Sequence, residues 1–290
     1  MRSSHRVATF VLLLGLDGLA SAARAQSIWL DRAVPNSLQV ELAKPMFHGP
    51  DDGFFTFSGY LTTRLSLGNK LSFVGELPMA TFTLDSSSPL LADESSTTMG
   101  NPYLGIESHP KAGEPWRGEG PTGTWFELGA RVPLASDEEF ATISGIATDV
   151  NRWEAFVPDA FVVHAAGHWH GESTPDEEAP LGFGADVRVA PALWISDDFG
   201  DDVELFTKYG VQVLFLMEGG YLGLGTSGEW LMTQEGRFDT NSAHQFELAL
   251  GARAKGVQFG FTLRSPMDDS DPFTYSLDRV VGLSVGVALP

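Results

Sequence analysis

The chain has 290 residues, no cysteine, and 38 acidic against 18 basic residues, for a net charge of −20. That acidity argues against nucleic acid and anionic surfaces as partners. Without cysteine there is no disulfide framework, so a secreted fold of this length must rest on an extensive hydrogen-bonded sheet.

Residues 1–25 read as a cleaved export signal of the Sec type. Arg2 and Arg6 precede an apolar run from Val7 to Leu19, and Ala23-Arg24-Ala25 supplies the small-x-small cleavage pattern. The run is short for a spanning helix and Asp17 interrupts it. No Cys follows the cleavage point, which removes a lipoprotein anchor. Cleavage takes away three positive charges and one negative, leaving −22. Residues 26–290 show no compositional break and no further apolar run of helix-spanning length, so they are read as a single domain.

The clearest element lies between Phe54 and Phe82. Phe55, Phe57, Leu61, Leu65 and Leu67 alternate with Thr56, Ser58, Tyr60, Arg64 and Ser66, a period of two. Gly68-Asn69-Lys70 has a tight-turn composition. Alternation then resumes through Leu71, Phe73, Leu77 and Met79. Similar strands are read at 37–47, 100–108, 125–134, 161–170, 183–195, 203–217, 221–232, 246–254, 257–263 and 281–289. That makes about twelve, each near the length that crosses a bilayer at a tilt. Connections at 68–70, 218–220 and 255–256 are tight. Those at 48–53, 85–99, 135–158, 196–202, 234–244 and 265–278 are longer or strongly acidic, and all six fall on one side of an up-and-down sheet. The connections at 110–123 and 171–180 are long for the tight side. A short helix is expected within 138–156.

Alternation alone suits a soluble sandwich as well as a membrane barrel. Three features favour the barrel. The strands are long. Aromatics sit towards strand ends on the apolar face, at Phe55, Trp169, Phe183, Trp230 and Phe246. The polar face is rich in Gly and Ala, as a narrow lumen requires. The fold class read from the sequence is therefore all-β, an antiparallel transmembrane β-barrel in the bacterial outer membrane, with lipid as its surroundings.

Leu77-Pro78, Gly100 to Gly105 and Val132-Pro133-Leu134 resemble the outer-membrane barrel proteins grouped as transporters of the phenol meta-degradation pathway. The resemblance covers roughly residues 59–136. It implies an outer-membrane barrel and small-molecule passage, and it carries no catalytic residues. The chain departs from many barrels in closing on Ala288-Leu289-Pro290 rather than on an aromatic residue.

The polar face supplies the candidate functional residues. Arg64, Glu76, Glu107, Glu127, Arg131, Asp186, Arg188, Lys208, Glu247, Arg253 and Arg264 would line a constriction that selects small solutes, or pair to keep a small barrel neutral. Arg64 lies diagonally from Glu76, within cross-strand reach. His164, His168 and His170 share a face, and His168 with His170 are weak candidates for a metal. Asp197, Asp198, Asp201, Asp202, Asp268, Asp269 and Asp271 form a solvated acidic rim. No G-x-S-x-G, H-E-x-x-H or Walker motif is present, so neither an enzyme nor a cofactor is expected. The readings in order are a small-solute channel, a plugged structural barrel whose acidic loops bind partners, and an outer-membrane hydrolase built on His244 with Asp239 and Ser242.

Overall fold

The structure, a computed structural model, describes residues 36–47, 54–68, 70–84, 94–108, 123–136, 140–149, 151–173, 181–196, 203–233, 241–254, 256–267 and 277–289. Residues 1–25, expected to be an export signal, and the seven aspartates expected to form an acidic rim lie outside these. The strands are β1 Ser37–Phe47, β2 Phe54–Ser66, β3 Leu71–Leu84, β4 Glu94–Met99, β5 Tyr103–Ser108, β6 Gly123–Arg131, β7 Ala160–Glu172, β8 Gly182–Ser196, β9 Val203–Met217, β10 Gly220–Leu231, β11 Ser242–Ala254, β12 Val257–Pro266 and β13 Leu277–Ala288. A helix, α1 Phe140–Thr148, and a 3₁₀ turn, Trp153–Ala155, lie between β6 and β7.

Every pairing is antiparallel, and β1 closes the sheet by pairing with both β13 and β2. Leu42 is thereby the partner of Leu283 on one side and of Gly59 on the other. β4 and β5 both pair with β3, on its second and first halves, so they form one interrupted crossing. The result is a closed antiparallel barrel of twelve crossings. Closure leaves no sheet edge to lipid, which the absence of water in a bilayer demands. The turn between β9 and β10 is tight because Gly219 takes a φ of 76°, a region that costs a residue with a Cβ.

Burial is inverted relative to a soluble protein. Leu104, Ile106, Leu128 and Leu283 are 50–62% exposed, whereas Glu107, Arg131, Lys208 and Arg264 are 1–4% exposed. Ionised side chains are almost never so buried in a soluble fold unless paired. Here they face the lumen, and the apolar side of each strand faces outward. This settles the choice between sandwich and barrel that alternation left open.

Two expectations need correction. The stretch 85–99 was expected to be a loop, yet its end forms β4. No apolar residue alternates in Glu94–Met99, so the strand leaves no hydrophobic signature. It is held by backbone pairing to β3 and by outward hydroxyl pairs, Thr81 with Thr97 at 3.0 Å and Thr83 with Ser95 at 3.2 Å. The stretch 135–158 was expected to be an external connection. Its described part turns inward instead, and α1 packs against β1, β2, β3 and β4.

An Arg at the middle of the lipid face tests the inverted arrangement. Leu283→Arg should lower the stability of the protein refolded in lipid vesicles by about 2–4 kcal/mol. A urea titration followed by tryptophan fluorescence measures it, and a soluble barrel would show almost no change.

Candidate functional site: an ion-paired plug across the lumen

α1 reads FATISGIAT, nine residues with β-branched side chains and a glycine. Such a helix is not stable alone in water, so its place depends on docking. Tyr60, Ala80 and Phe82 from the wall meet Ala141, Ala155 and Phe156 from the segment in a small apolar cluster. Phe82 stacks on Phe140 with ring centroids 5.5 Å apart. The Thr56 hydroxyl of β2 is hydrogen-bonded to Ser144.

Beyond α1, Trp153 and Val157 join a second apolar cluster with Val162, Ala192, Trp194 and Phe206 of the wall, the Trp153 ring 5.1 Å from Trp194 and 5.6 Å from Phe206, and the remaining contacts are mostly ionic. The Arg152 guanidinium donates to Glu41 of β1 at 2.6 Å, to Glu76 of β3 at 3.2 Å and to Asp149 at 2.8 Å. It also lies 3.4 Å above the Tyr60 ring, a favourable position for a cation. Asp149 accepts a second bond from Arg264 of β12 at 2.8 Å. Glu154 lies 2.5 Å from Lys208 of β9 and 3.1 Å from Arg131 of β6, with His164 of β7 at 3.6 Å. Lys208 also donates to the Asn151 carbonyl at 2.5 Å. Asn151 reaches Ser227 of β10 at 2.9 Å, and the Trp153 indole donates to Glu229 at 2.5 Å. One short segment thus engages strands around the whole circumference, and it crosses the lumen as a plug.

Asn101 anchors it to the wall. Its side-chain amide donates to the carbonyls of Glu154 and Val157 at 3.0 and 2.6 Å. Its side-chain oxygen accepts from the backbone N–H groups of Leu134 and Ala135 at 2.7 and 2.8 Å. The amide ties together the β4–β5 interruption, the exit of β6 and the end of the plug. It is fully buried with both ends satisfied, so a residue of another shape leaves backbone groups unpaired.

Burial would raise the Asp149 carboxyl, but the Arg264 and Arg152 guanidiniums more than offset it and hold it well below the usual carboxylate range. Glu154 behaves alike: burial opposes ionisation, and Lys208 with Arg131 brings it down to about 2.

The structure places the expected lumen residues as follows. Arg64 lies 3.5 Å from Glu107, and Glu76 is held instead by Arg131 at 2.7 Å and by Arg152. The close contacts of Glu76 are thus with Arg131 of β6 and Arg152 of the plug rather than with its diagonal neighbour Arg64. Glu127 is bonded by Tyr103, with His168 at 3.6 Å and Arg188 at 3.7 Å. Asp186 is hydrogen-bonded to His170, which also reaches Glu172 at 3.2 Å. Glu247 pairs in register with Arg264. The side chain of Arg253 lies outside the described residues. His168 and His170 both face the lumen but engage different carboxylates, and His168 stacks on Trp125 at 5.0 Å. Among the described residues no group of three or more His, Asp or Glu side chains is placed to hold a metal. His244 lies on the outward face, hydrogen-bonded to Tyr209 at 2.6 Å, and Asp239 is outside the described residues. Sequence reasoning missed Glu41, Asn101, Asp149, Arg152 and Glu154. Asn101 stood within a recognised motif, Gly100 to Gly105, whose polar residue is the one local signal for it.

On one side of the plug lies a cavity of about 80 Å³, room for several waters. Arg64, Glu127, Arg188 and Tyr103 line it from the wall, and Arg152 and Glu154 from the plug. A Cβ at Gly129 would fall 2.3 Å from the Tyr103 hydroxyl, so only glycine there lets the ring lie flat along the wall.

No protein-family model and no curated protein matches the chain. Among solved structures it is similar to the COG4313 outer membrane channel from Pseudomonas putida F1, with 12% identity and a TM-score of 0.57 over 91% of this chain and 99% of that one. It also aligns with the NanC porin, at 9% identity and a TM-score of 0.45 over 87% of this chain and 100% of that one. LpxR from Salmonella typhimurium aligns at 10% identity and a TM-score of 0.46, again over 87% and 100%. The first shows a shared outer-membrane barrel fold, and the other two are too distant to carry an argument.

The two depressed carboxyls give docking a definite pH dependence. Their pairing with cations is fully present above their ordinary values of 3.8 and 4.5 and is lost as pH falls through the docked values. Hydrogen exchange of the 149–154 amides, corrected for the intrinsic pH dependence of exchange, should be slow at neutral pH and accelerate progressively below about pH 4. Asn101→Ala should destabilise docking by about 1–3 kcal/mol for each group left unpaired, read as faster exchange of the same amides at pH 7.

Proposed function

We propose that the chain is an outer-membrane channel for small solutes, closed in the present conformation by the plug formed by α1 and the residues following it. The observation that carries this reading is the chemistry that holds the plug. Its charged middle, Asp149 to Glu154, is fastened by ion pairs to strands around the lumen, between an apolar cluster at α1 and a second one where Trp153 and Val157 pack on Val162, Ala192, Trp194 and Phe206. Buried ion pairs return little more than the desolvation they cost, so they orient the segment without binding it irreversibly. The shared fold with an outer membrane channel supports the reading, as does the resemblance of Leu77-Pro78, Gly100 to Gly105 and Val132 to Leu134 to the phenol meta-degradation transporters. Export by residues 1–25, a single barrel domain after them, and lipid as the surroundings belong to the same reading.

The second reading is a sealed structural barrel, in which the plug never leaves. Conductance separates the two. Replacing residues 140–156 by a short Gly-Ser linker should turn rare, small openings in planar bilayers into steady conductance. Arg152→Ala leaves buried carboxylates without their cation, at a cost of about 3–5 kcal/mol, and should raise the open fraction in the same direction. A wild-type protein that never opens, together with an Arg152→Ala protein that stays equally silent, would favour the structural barrel.

A further inference from the structure

The outward surface of the barrel carries a charge pattern of its own. Arg64, Arg131, Arg188, Lys208 and Arg264 belong to the lumen face of their strands. Among the described strand residues two basic side chains point outward instead, Lys44 of β1 and Arg279 of β13. Lys44 is exposed between the buried Ala43 and Pro45 and shares its face with the exposed Leu42 and Met46. Arg279 shares its face with the exposed Leu283 and Val285, and its side chain is 49% exposed. The two are neighbours. Lys44 is the register partner of Val281, and Arg279 of Met46. They therefore stand diagonally on adjacent strands, about 7–8 Å apart. The Lys44 ammonium lies 4.8 Å from the centre of the Phe55 ring, which meets the Phe57 ring at 5.9 Å. Arg279 donates to Asp278 at 2.8 and 2.6 Å. That pair is exposed and of the kind that contributes little, so another anion can take the place of Asp278.

Position names the partner. Both cations lie at the end of the barrel where β1 passes to β2 and β12 to β13, opposite the tight turns at Gly219 and Gly256. Long connections of bacterial barrels face the exterior, so this end stands in the outer leaflet. The Lys44 side chain leans that way. Ala43 pairs with Ser58, and Phe55, over which the ammonium lies, is three residues nearer the outer end of β2. A cation so placed reaches the headgroup layer while its aliphatic stem lies along the apolar wall. We infer that Lys44 and Arg279 together bind a phosphate of a phosphorylated glycolipid in the outer leaflet, with its acyl chains along Leu42, Phe55 and Leu283. These three side chains are 46–56% exposed and supply the apolar half of the contact. Free phosphate lacks that half and would meet only two exposed cations, which favours the lipid. The net charge of −20 repels anionic surfaces as a whole, so attraction needs a local pair of cations. Screening limits their reach to about 8–10 Å, the size of this patch. β1 and β13 are the first and last strands and pair with each other, so the lipid clamps the seam that closes the barrel. The site lies outside the lumen and does not depend on conduction.

The test uses the full chain after export cleavage, refolded in maltoside micelles with EDTA, so that no divalent cation bridges lipid phosphate to carboxylates. Native mass spectrometry follows titration with diphosphoryl lipid A and with the same lipid stripped of its phosphates. Saturable binding of one lipid A is expected, at least about tenfold tighter than binding of the stripped lipid. Lys44→Gln and Arg279→Gln should each weaken lipid A binding by about tenfold, the scale of a lost hydrogen bond to a charged group, and leave binding of the stripped lipid unchanged. Lys44→Arg keeps the charge and should retain binding. Lys70→Gln, which removes an exposed cation at the opposite end of the barrel, should change nothing. Folding of each variant is checked by heat-modifiable gel migration. If a glutamine variant does not fold, competition between the two lipids on the wild-type protein decides the point. Equal affinity for the two lipids would overturn the inference, as would folded glutamine variants that bind lipid A like the wild type. A loss on Lys70→Gln as large as that on Lys44→Gln would overturn it too. Displacement of lipid A by inorganic phosphate at equal concentration would make this a site for the free ion and overturn the lipid assignment. Lipid A binding by a silent protein removes only the channel, whereas conductance without lipid A binding removes only the lipid site.

Discussion

Charge enclosed in a low-dielectric tube has to be neutralised within the tube. That constraint governs the interior of this barrel. The wall supplies Glu41 and Glu76 on neighbouring faces of β1 and β3, and these carboxylates need a cation that the opening hairpin does not deliver to them. Arg152 of the plug meets both, together with Asp149. Arg264 then serves Asp149 and lies 3.5 Å from Glu41, and Lys208 with Arg131 serves Glu154. The plug is the missing half of the lumen's charge balance. Removing one partner leaves an uncompensated buried charge, far more costly than the pair is worth.

The same constraint explains why closure and the prospect of opening coexist. A lumen filled by apolar side chains would be sealed by its own packing. A lumen filled by ion pairs can exchange one set of partners for another, since water or a passing anion can replace a carboxylate at a guanidinium. Asn101 sets the geometry from which the segment departs. It holds the end of the plug by two carbonyls and the start of the connection by two N–H groups.

The barrel wall was legible in the sequence because each strand carries its own evidence. The period of two in Phe55 to Leu67, the tight turn at Gly68 and the strand lengths are local signals, and the twelve crossings follow from them. Even the lumen residues were legible from parity: Glu107, Arg131, Asp186, Lys208 and Arg264 all point inward. What the sequence withheld is long-range. Glu41 and Arg152 are 111 positions apart, Glu76 and Arg152 are 76 apart, and Asp149 and Arg264 are 115 apart. No window of residues records such pairs, and a connection with mixed spacing looks like any external loop. The strand Glu94–Met99 was hidden for the opposite reason. It is held by backbone bonds and hydroxyls, which leave no hydrophobic period to read.

Movement of the plug relative to the wall is most directly tested by a reversible tether. The chain has no cysteine, so a pair introduced as Thr56→Cys and Ser144→Cys, whose hydroxyls are in direct contact, would be the protein's sole disulfide. In planar bilayers the oxidised protein should be silent, and conductance should appear when a reductant opens the bond. Equal conductance before and after reduction, with the disulfide verified by mass spectrometry, would contradict a channel gated by this segment.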